Sequence, residues 1–96
     1  MVLAHGCPKA VKVKPLSGYR IQVSFSNGRV VIYDVKQDIN RIKAFHKLRA
    51  ESEFQKVYVA YAGASIAWGD GNPFSDPDMD VEVPYTEGDI VLHEVS

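Results

Sequence analysis

Residues 76 to 87 read DPDMDVEVPYTE and place carboxylates at Asp76, Asp78 and Asp80, then again at Glu87. These are positions 1, 3, 5 and 12 of a calcium-binding loop, and Glu82 and Val83 suit the backbone ligand at 7 and the apolar residue at 8. Position 6 of such a loop needs a sharp turn, for which glycine serves; here it is Val81, whose branched side chain resists positive φ. Pro84 stiffens the loop further, and no helix of convincing period flanks it. The spacing is better explained by the density of Asp and Glu, so neither a metal nor a cofactor is expected. The stretch reads as an acidic, partly extended edge suited to a positively charged surface. The candidate protein-binding residues are Trp68, Asp76, Asp78, Asp80, Glu82 and Tyr85, with Ile90 and Leu92 as further apolar anchors.

Other chemistry is thin. His5, His46 and His93 read as surface histidines, and nothing in the sequence sets one beside Cys7 or a serine with a third orienting group, as an activated nucleophile needs. No phosphate-binding glycine loop, metalloprotease H-E-x-x-H or paired Cys/His zinc pattern occurs. An enzyme is not expected. Trp68 with Gly69-Asp70-Gly71 suits a ligand-stacking site, but a strand-end aromatic packed on the core above a tight turn is the simpler reading. Asp34 is expected to end a strand and accept backbone N–H bonds from the turn of the next helix.

Ninety-six residues with 46% hydrophobic and 24% charged composition make one domain with a modest core. No apolar run approaches the roughly 18 residues that cross a bilayer, so no membrane contact is expected. A single cysteine excludes an internal disulfide and fits a reducing, cytoplasmic setting. LAHGC, Leu3 to Cys7, resembles a lipoprotein cleavage site but lacks the charged and apolar regions before it; residues 1–9 are expected to be frayed. The net charge of −1 hides an asymmetry. All eleven Lys and Arg lie between Lys9 and Lys56 against four acids (Asp34, Asp38, Glu51, Glu53), whereas eight acids and no base follow Val57. The simplest reading is two ends of one domain attracting each other, and the dilute basic half argues against direct nucleic-acid binding.

The elements that must carry these residues follow from periodicity. YRIQVSFS (Tyr19 to Ser26) alternates as a half-buried strand, Asn27-Gly28 suits a two-residue type I′ turn, and RVVIYDV (Arg29 to Val35) returns. That loop sets Phe25 opposite Val30, Val23 opposite Ile32 and Ile21 opposite Asp34. AVKVK (Ala10 to Lys14) joins through Leu16-Ser17-Gly18, pairing Val13 with Ile21 and Val11 with Val23. Ile39, Ile42, Phe45 and Leu48 then recur every three residues, predicting one helix from an Asp38 N-cap to about Arg49. Ser52-x-x-Gln55 fits a capping box for a short further turn. Val57–Tyr61 and Ser65–Trp68 read as two short strands joined through Ala62-Gly63-Ala64, and GDGNPFSDPD as irregular loop. VEVPY and DIVLHEV alternate again, with Pro84 admissible at an edge or bulge. The fold class is α+β: a three-stranded antiparallel meander, one main helix, two further short strands and an irregular acidic C-terminal segment.

The order of these motifs resembles a small bacterial family known as domain of unknown function 2442. The matching residues are Phe25, Asn27 and Gly28; Tyr33, Asp34 and Val35; Phe45, Leu48, Arg49 and Phe54; and Ile66, Trp68, Asp70 and Gly71. The resemblance covers residues 11 to 72, with 10–71 as the family-like core and 72–96 as an acidic extension. It implies a compact α+β domain, followed in some members by a DNA-binding helix-turn-helix and encoded elsewhere in what looks like a toxin–antitoxin pair. No helix-turn-helix is expected between residue 72 and Ser96, so direct DNA binding is not carried over, and the family brings no agreed catalytic residues.

The expected function is that of a non-enzymatic protein-interaction domain, the antitoxin-like partner of a small basic protein. One alternative is a small-ligand or calcium module centred on Trp68 to Asp80. Another is self-association, a homodimer through an edge strand to which Val81, Val83 and Tyr85 contribute.

Overall fold

A computed structural model describes residues 7–92. It shows an α+β domain with two antiparallel sheets and a few short helices. Strands β1 (Ala10–Leu16), β2 (Arg20–Phe25), β3 (Val30–Asp34) and β7 (Asp89–Leu92) form one sheet in the order β1-β2-β3-β7. Strands β4 (Val57–Ala60), β5 (Ser65–Trp68) and β6 (Asp78–Asp80) form the second, in the order β4-β5-β6.

The β2–β3 hairpin differs from expectation by one residue. Phe25 N–H donates to Arg29 C=O at 2.8 Å, so Ser26, Asn27 and Gly28 form a three-residue loop with Gly28 at φ +93°. Asn27 does not take the positive φ that a type I′ turn requires. Its carboxamide instead accepts from Arg29 N–H at 3.1 Å and donates to the Tyr85 hydroxyl at 3.2 Å. Val23 therefore faces Val31 and Ile21 faces Tyr33. A slip of one residue exchanges the faces of a strand, so Val31, Tyr33 and Val35 are buried where Val30, Ile32 and Asp34 were expected to be.

The β1–β2 connection also moves, to Ser17-Gly18-Tyr19, which pairs Val13 with Val23 rather than Ile21. Gly18 and Tyr19 both have positive φ, +77° and +60°. Tyr19 is held there by its hydroxyl, which donates to Arg49 C=O at 2.5 Å, and by its ring, edge-on to Phe54 at 5.4 Å. A bulge between Ala10 and Lys12 turns Ala10 inward and leaves Val11 exposed. Lys9 C=O accepts from Ser26 N–H at 2.8 Å; residues 1–6 of the stretch expected to be frayed lie outside the described residues.

The expected single helix is three pieces. Helix α1 (Lys36–Arg41) stops where Ile42 takes extended geometry, φ −100° and ψ 116°; a 3₁₀ segment, η1 (Lys43–Arg49), follows, then α2 (Glu51–Phe54). A repeat of three is the period of a 3₁₀ helix rather than an α-helix. Phe45 and Leu48 are accordingly buried on one side of η1, while Ile42 is 40% exposed at the break. Asp38 is not the N-cap but a buried residue inside α1, and no side chain caps α2, so the Ser52/Gln55 box is not used. Asp34 behaves as expected, accepting from Lys36 N–H at 2.9 Å.

The acidic segment is folded rather than irregular. Residues 78–80 pair with β5, Glu82–Glu87 form α3, and β7 completes the first sheet beside β3. Pro84 occupies the first turn of α3, where no intrahelical partner is lost, instead of a strand edge. Val81 is buried and Val83 and Tyr85 pack against the core, so these three are not an edge for pairing between chains. One core is shared by the inner face of the first sheet, the helical segment and β5, with Trp68 at its centre.

Candidate functional site

The six residues expected to bind a partner do not form one surface. Trp68 is completely buried, with Phe45 at 5.4 Å and Phe54 at 6.1 Å between ring centroids. It packs the core, and its indole N–H has no acceptor among the described residues. Tyr85 is spent on the β2–β3 hairpin: its ring meets Phe25 edge-on at 4.9 Å, and the Arg29 guanidinium lies 4.1 Å over it.

Asp76 braces the loop after β5. Its Oδ2 accepts from the Tyr58 hydroxyl at 2.8 Å and from Gly71 N–H and Asn72 N–H at 3.1 Å each. The Tyr58 bond, aided by the two backbone donors, holds the Asp76 carboxyl below the usual carboxylate range. Burial and the same bond push the Tyr58 hydroxyl up to about 12. Asp80 accepts from Glu82 N–H at 2.8 Å and Asp78 from the Ser65 hydroxyl at 2.7 Å. A calcium loop is thus replaced by a loop, a strand and a helix. Among the described residues, no group of three or more His, Cys, Asp or Glu is placed to hold a metal.

Asp78 and Asp80 do meet other residues in one place. β6 is the outermost strand of its sheet. Its ladder is bracketed by Trp68 N–H donating to Pro77 C=O and Val81 N–H donating to Ala64 C=O, both at 3.1 Å. Antiparallel strands direct alternate residues to opposite neighbours, so the N–H and C=O groups of Asp78 and Asp80 point away from β5. They border a cleft of about 260 Å³. Ile42, Phe45, Met79 and Val83 supply its apolar lining, and Tyr33, Asp38, Arg41 and Glu87 its polar end.

The polar end is tightly built. Tyr33, buried on β3, donates its hydroxyl to Asp38 Oδ2 at 2.6 Å, and Arg41 reaches Asp38 Oδ1 at 3.4 Å. Burial first, then the Asp38 bond and the charges of Asp38 and Glu87, raise the Tyr33 hydroxyl far above its ordinary range. Tyr33 therefore remains a neutral donor. Ile42, in extended geometry between α1 and η1, is among the residues that line the cleft.

Of the residues singled out from sequence, Asp78 and Asp80 border the cleft, and Glu82 lies outside it, beside Cys7. The Cys7 thiol is raised by burial and by the charges of Glu82 and Asp80, which disfavours the thiolate. His46 lies on η1 with its ring nitrogen 3.3 Å from Asn40 C=O; His5 and His93 fall outside the described residues. Tyr33, Asp38 and Arg41 were missed as a group, because the expected register sets Tyr33 on the face of β3 turned away from Ile21, Val23 and Phe25.

The model of the family described as "Protein of unknown function (DUF2442)" matches residues 10–85. The chain belongs to this family. The match begins with β1 and ends in α3, so it takes in the apolar lining of the cleft and much of the segment expected to be an extension. No curated protein and no solved structure matches the chain. The bounds of the DUF2442 domain thus include Tyr33, Asp38 and Arg41 as well as β6, with Glu87 just beyond.

Proposed function

We propose that this DUF2442 domain is a non-enzymatic protein-interaction module whose partner is a small basic protein. The observation that carries this reading is the charge around the cleft: four acids, Asp38, Asp78, Asp80 and Glu87, border it against one cation, Arg41, which is already paired with Asp38. Clefts lined by one sign of charge concentrate the field and steer oppositely charged partners. The apolar wall of Ile42, Phe45 and Val83 supplies the desolvated surface on which such an encounter becomes a complex. An antitoxin-like role, in which the domain masks the positive working surface of its partner, is the biological form suggested by the family resemblance.

Deleting the acidic segment after Asn72 is not a clean test, because β6, α3 and β7 would go with it. Neutralising Asp80 and Glu87, both exposed at the cleft, by Asp80→Asn and Glu87→Gln keeps an acceptor for Glu82 N–H and leaves the ladders intact. Immobilised domain should retain a basic protein from low-salt lysate, lose it at several hundred millimolar salt, and retain less when neutralised. Recovery of no basic protein, or recovery indifferent to salt and to both substitutions, overturns the reading.

A second reading, self-association, rests on β7. It is the outermost strand of the first sheet and leaves Ile90, Val91 and Leu92 at 38%, 53% and 57% exposure. Light scattering across a hundredfold range of concentration decides it: a constant monomer mass removes this reading.

A further inference from the structure

We infer that the partner binds as an extended segment added to the free edge of β6, with basic side chains on one face and apolar side chains on the other. This rests on the proposed function and specifies how that contact is made. Two observations beyond charge carry it. First, the N–H and C=O groups of Asp78 and Asp80 face the cleft unpaired among the described residues, because β6 is the last strand of its sheet and its ladder bonds run to β5. Adding a strand to such an edge is an established route to peptide recognition, in which backbone bonds give affinity and alternate side chains give specificity. Second, the two faces of β6 differ in chemistry. Met79 is buried on the inner face, towards Phe45 and Val83, whereas Asp78 and Asp80 are exposed on the outer face.

These faces dictate the sequence of the added strand. Residues directly opposite on one face of a sheet interact most strongly. Outward residues of the added strand lie beside the carboxylates of Asp78 and Asp80 and should be Lys or Arg. Inward residues lie beside Met79, against the apolar wall of the cleft, and should be Val, Ile or Leu. A strand rises about 3.3 Å per residue, so a five-residue segment spans the three residues of β6 with one to spare at each end.

The test titrates ¹⁵N-labelled domain with a blocked peptide, Val-Arg-Val-Arg-Val, watching backbone amide shifts and hydrogen exchange. Two controls accompany it: the same peptide N-methylated at the amides that face β6, and Val-Glu-Val-Glu-Val. The expected result is a shift and slowed exchange at the Asp78 and Asp80 amides, at least tenfold weaker binding of the methylated peptide, and none of the acidic one. If methylated and unmethylated peptides bind equally and the Asp78 and Asp80 amides stay unshifted, strand addition is overturned while charge attraction stands. If the acidic peptide binds as well as the basic one, the inference and the basic-partner reading fall together. Absence of binding by all three peptides overturns strand addition, leaving the lysate experiment to judge the proposed function separately.

Discussion

Replacing Tyr33 with Phe removes one oxygen from the polar end of the cleft and leaves the Asp38 carboxylate, itself 6% exposed, without its 2.6 Å donor. Arg41 remains at 3.4 Å, but its side chain is 73% exposed and compensates weakly. A hydrogen bond to a charged group contributes about 1.5 to 3 kcal/mol, and a buried acceptor left unmatched forfeits that amount. Tyr33→Phe should therefore destabilise the domain by about 2 kcal/mol. For a domain this size that lowers the melting temperature by roughly 8 to 16 °C. Asp38→Asn keeps an acceptor for the hydroxyl but not the charge, and should cost less. In a double-mutant cycle by urea denaturation, with unchanged m-values, the two substitutions should couple by at least 1 kcal/mol. A cost below about 0.5 kcal/mol for Tyr33→Phe, or simple additivity of the pair, would refute the claim that this bond organises the cleft. The raised Tyr33 hydroxyl also sets the sign with pH: its contribution is complete below the ordinary tyrosine range near 10 and fades only as pH rises through the higher folded value.

Two further perturbations probe the scaffold. Gly63 and Gly71 have nearly the same φ, +98° and +101°, but a Cβ at Gly63 would sit 2.7 Å from Ala10 C=O, while one at Gly71 meets nothing within 4 Å. Gly71→Ala should cost only conformational strain, about 1 to 2 kcal/mol, and Gly63→Ala clearly more; equal melting temperatures would contradict this. The Tyr58–Asp76 brace should hold the loop across a bounded pH window. Asp76, depressed in the fold, contributes stability above the unfolded carboxylate value near 4 that is lost as pH falls through its lower folded value. Tyr58, raised to about 12, contributes below roughly 10 and loses its contribution as pH climbs through 12. Amide exchange at Gly71 and Asn72 should quicken at both extremes relative to mid-range, after allowance for intrinsic rates, and Tyr58→Phe should abolish the alkaline effect.

Strand positions were legible wherever apolar and polar residues alternate, as in β2, and wherever glycine pairs bound a short run, as around β5. Register was not, because the turn is settled by contacts that adjacent sequence does not display. Asn27 could serve a type I′ turn by its own preference, but its carboxamide is committed to Arg29 N–H and to Tyr85, 58 residues away. That one commitment moves the pairing by a residue and brings Tyr33 inward, and the pairing of Tyr33 with Asp38 depends on it. The helix was misjudged for a different reason: a stripe that repeats strictly every three residues is the 3₁₀ period, and over four positions it drifts off one α-helical face. The acidic segment misled most, since counting carboxylates cannot reveal that Asp76 answers Tyr58 and that Met79 turns inward. The edge at β6 was invisible in sequence because an edge is a property of the whole sheet.

The position of β7 also bears on the chain's synthesis. Leu92 pairs with Val30, about sixty residues earlier. At about 5 to 20 residues per second, the outer side of β3 is complete but unpaired for roughly 3 to 12 s on the ribosome. Throughout that interval Val30 to Asp34 offer a ready template to any neighbouring nascent chain. A truncated transcript, or a ribosome stalled before Asp89, would release a product whose first sheet is permanently open, so aggregation of prematurely ended chains should far exceed that of the finished one.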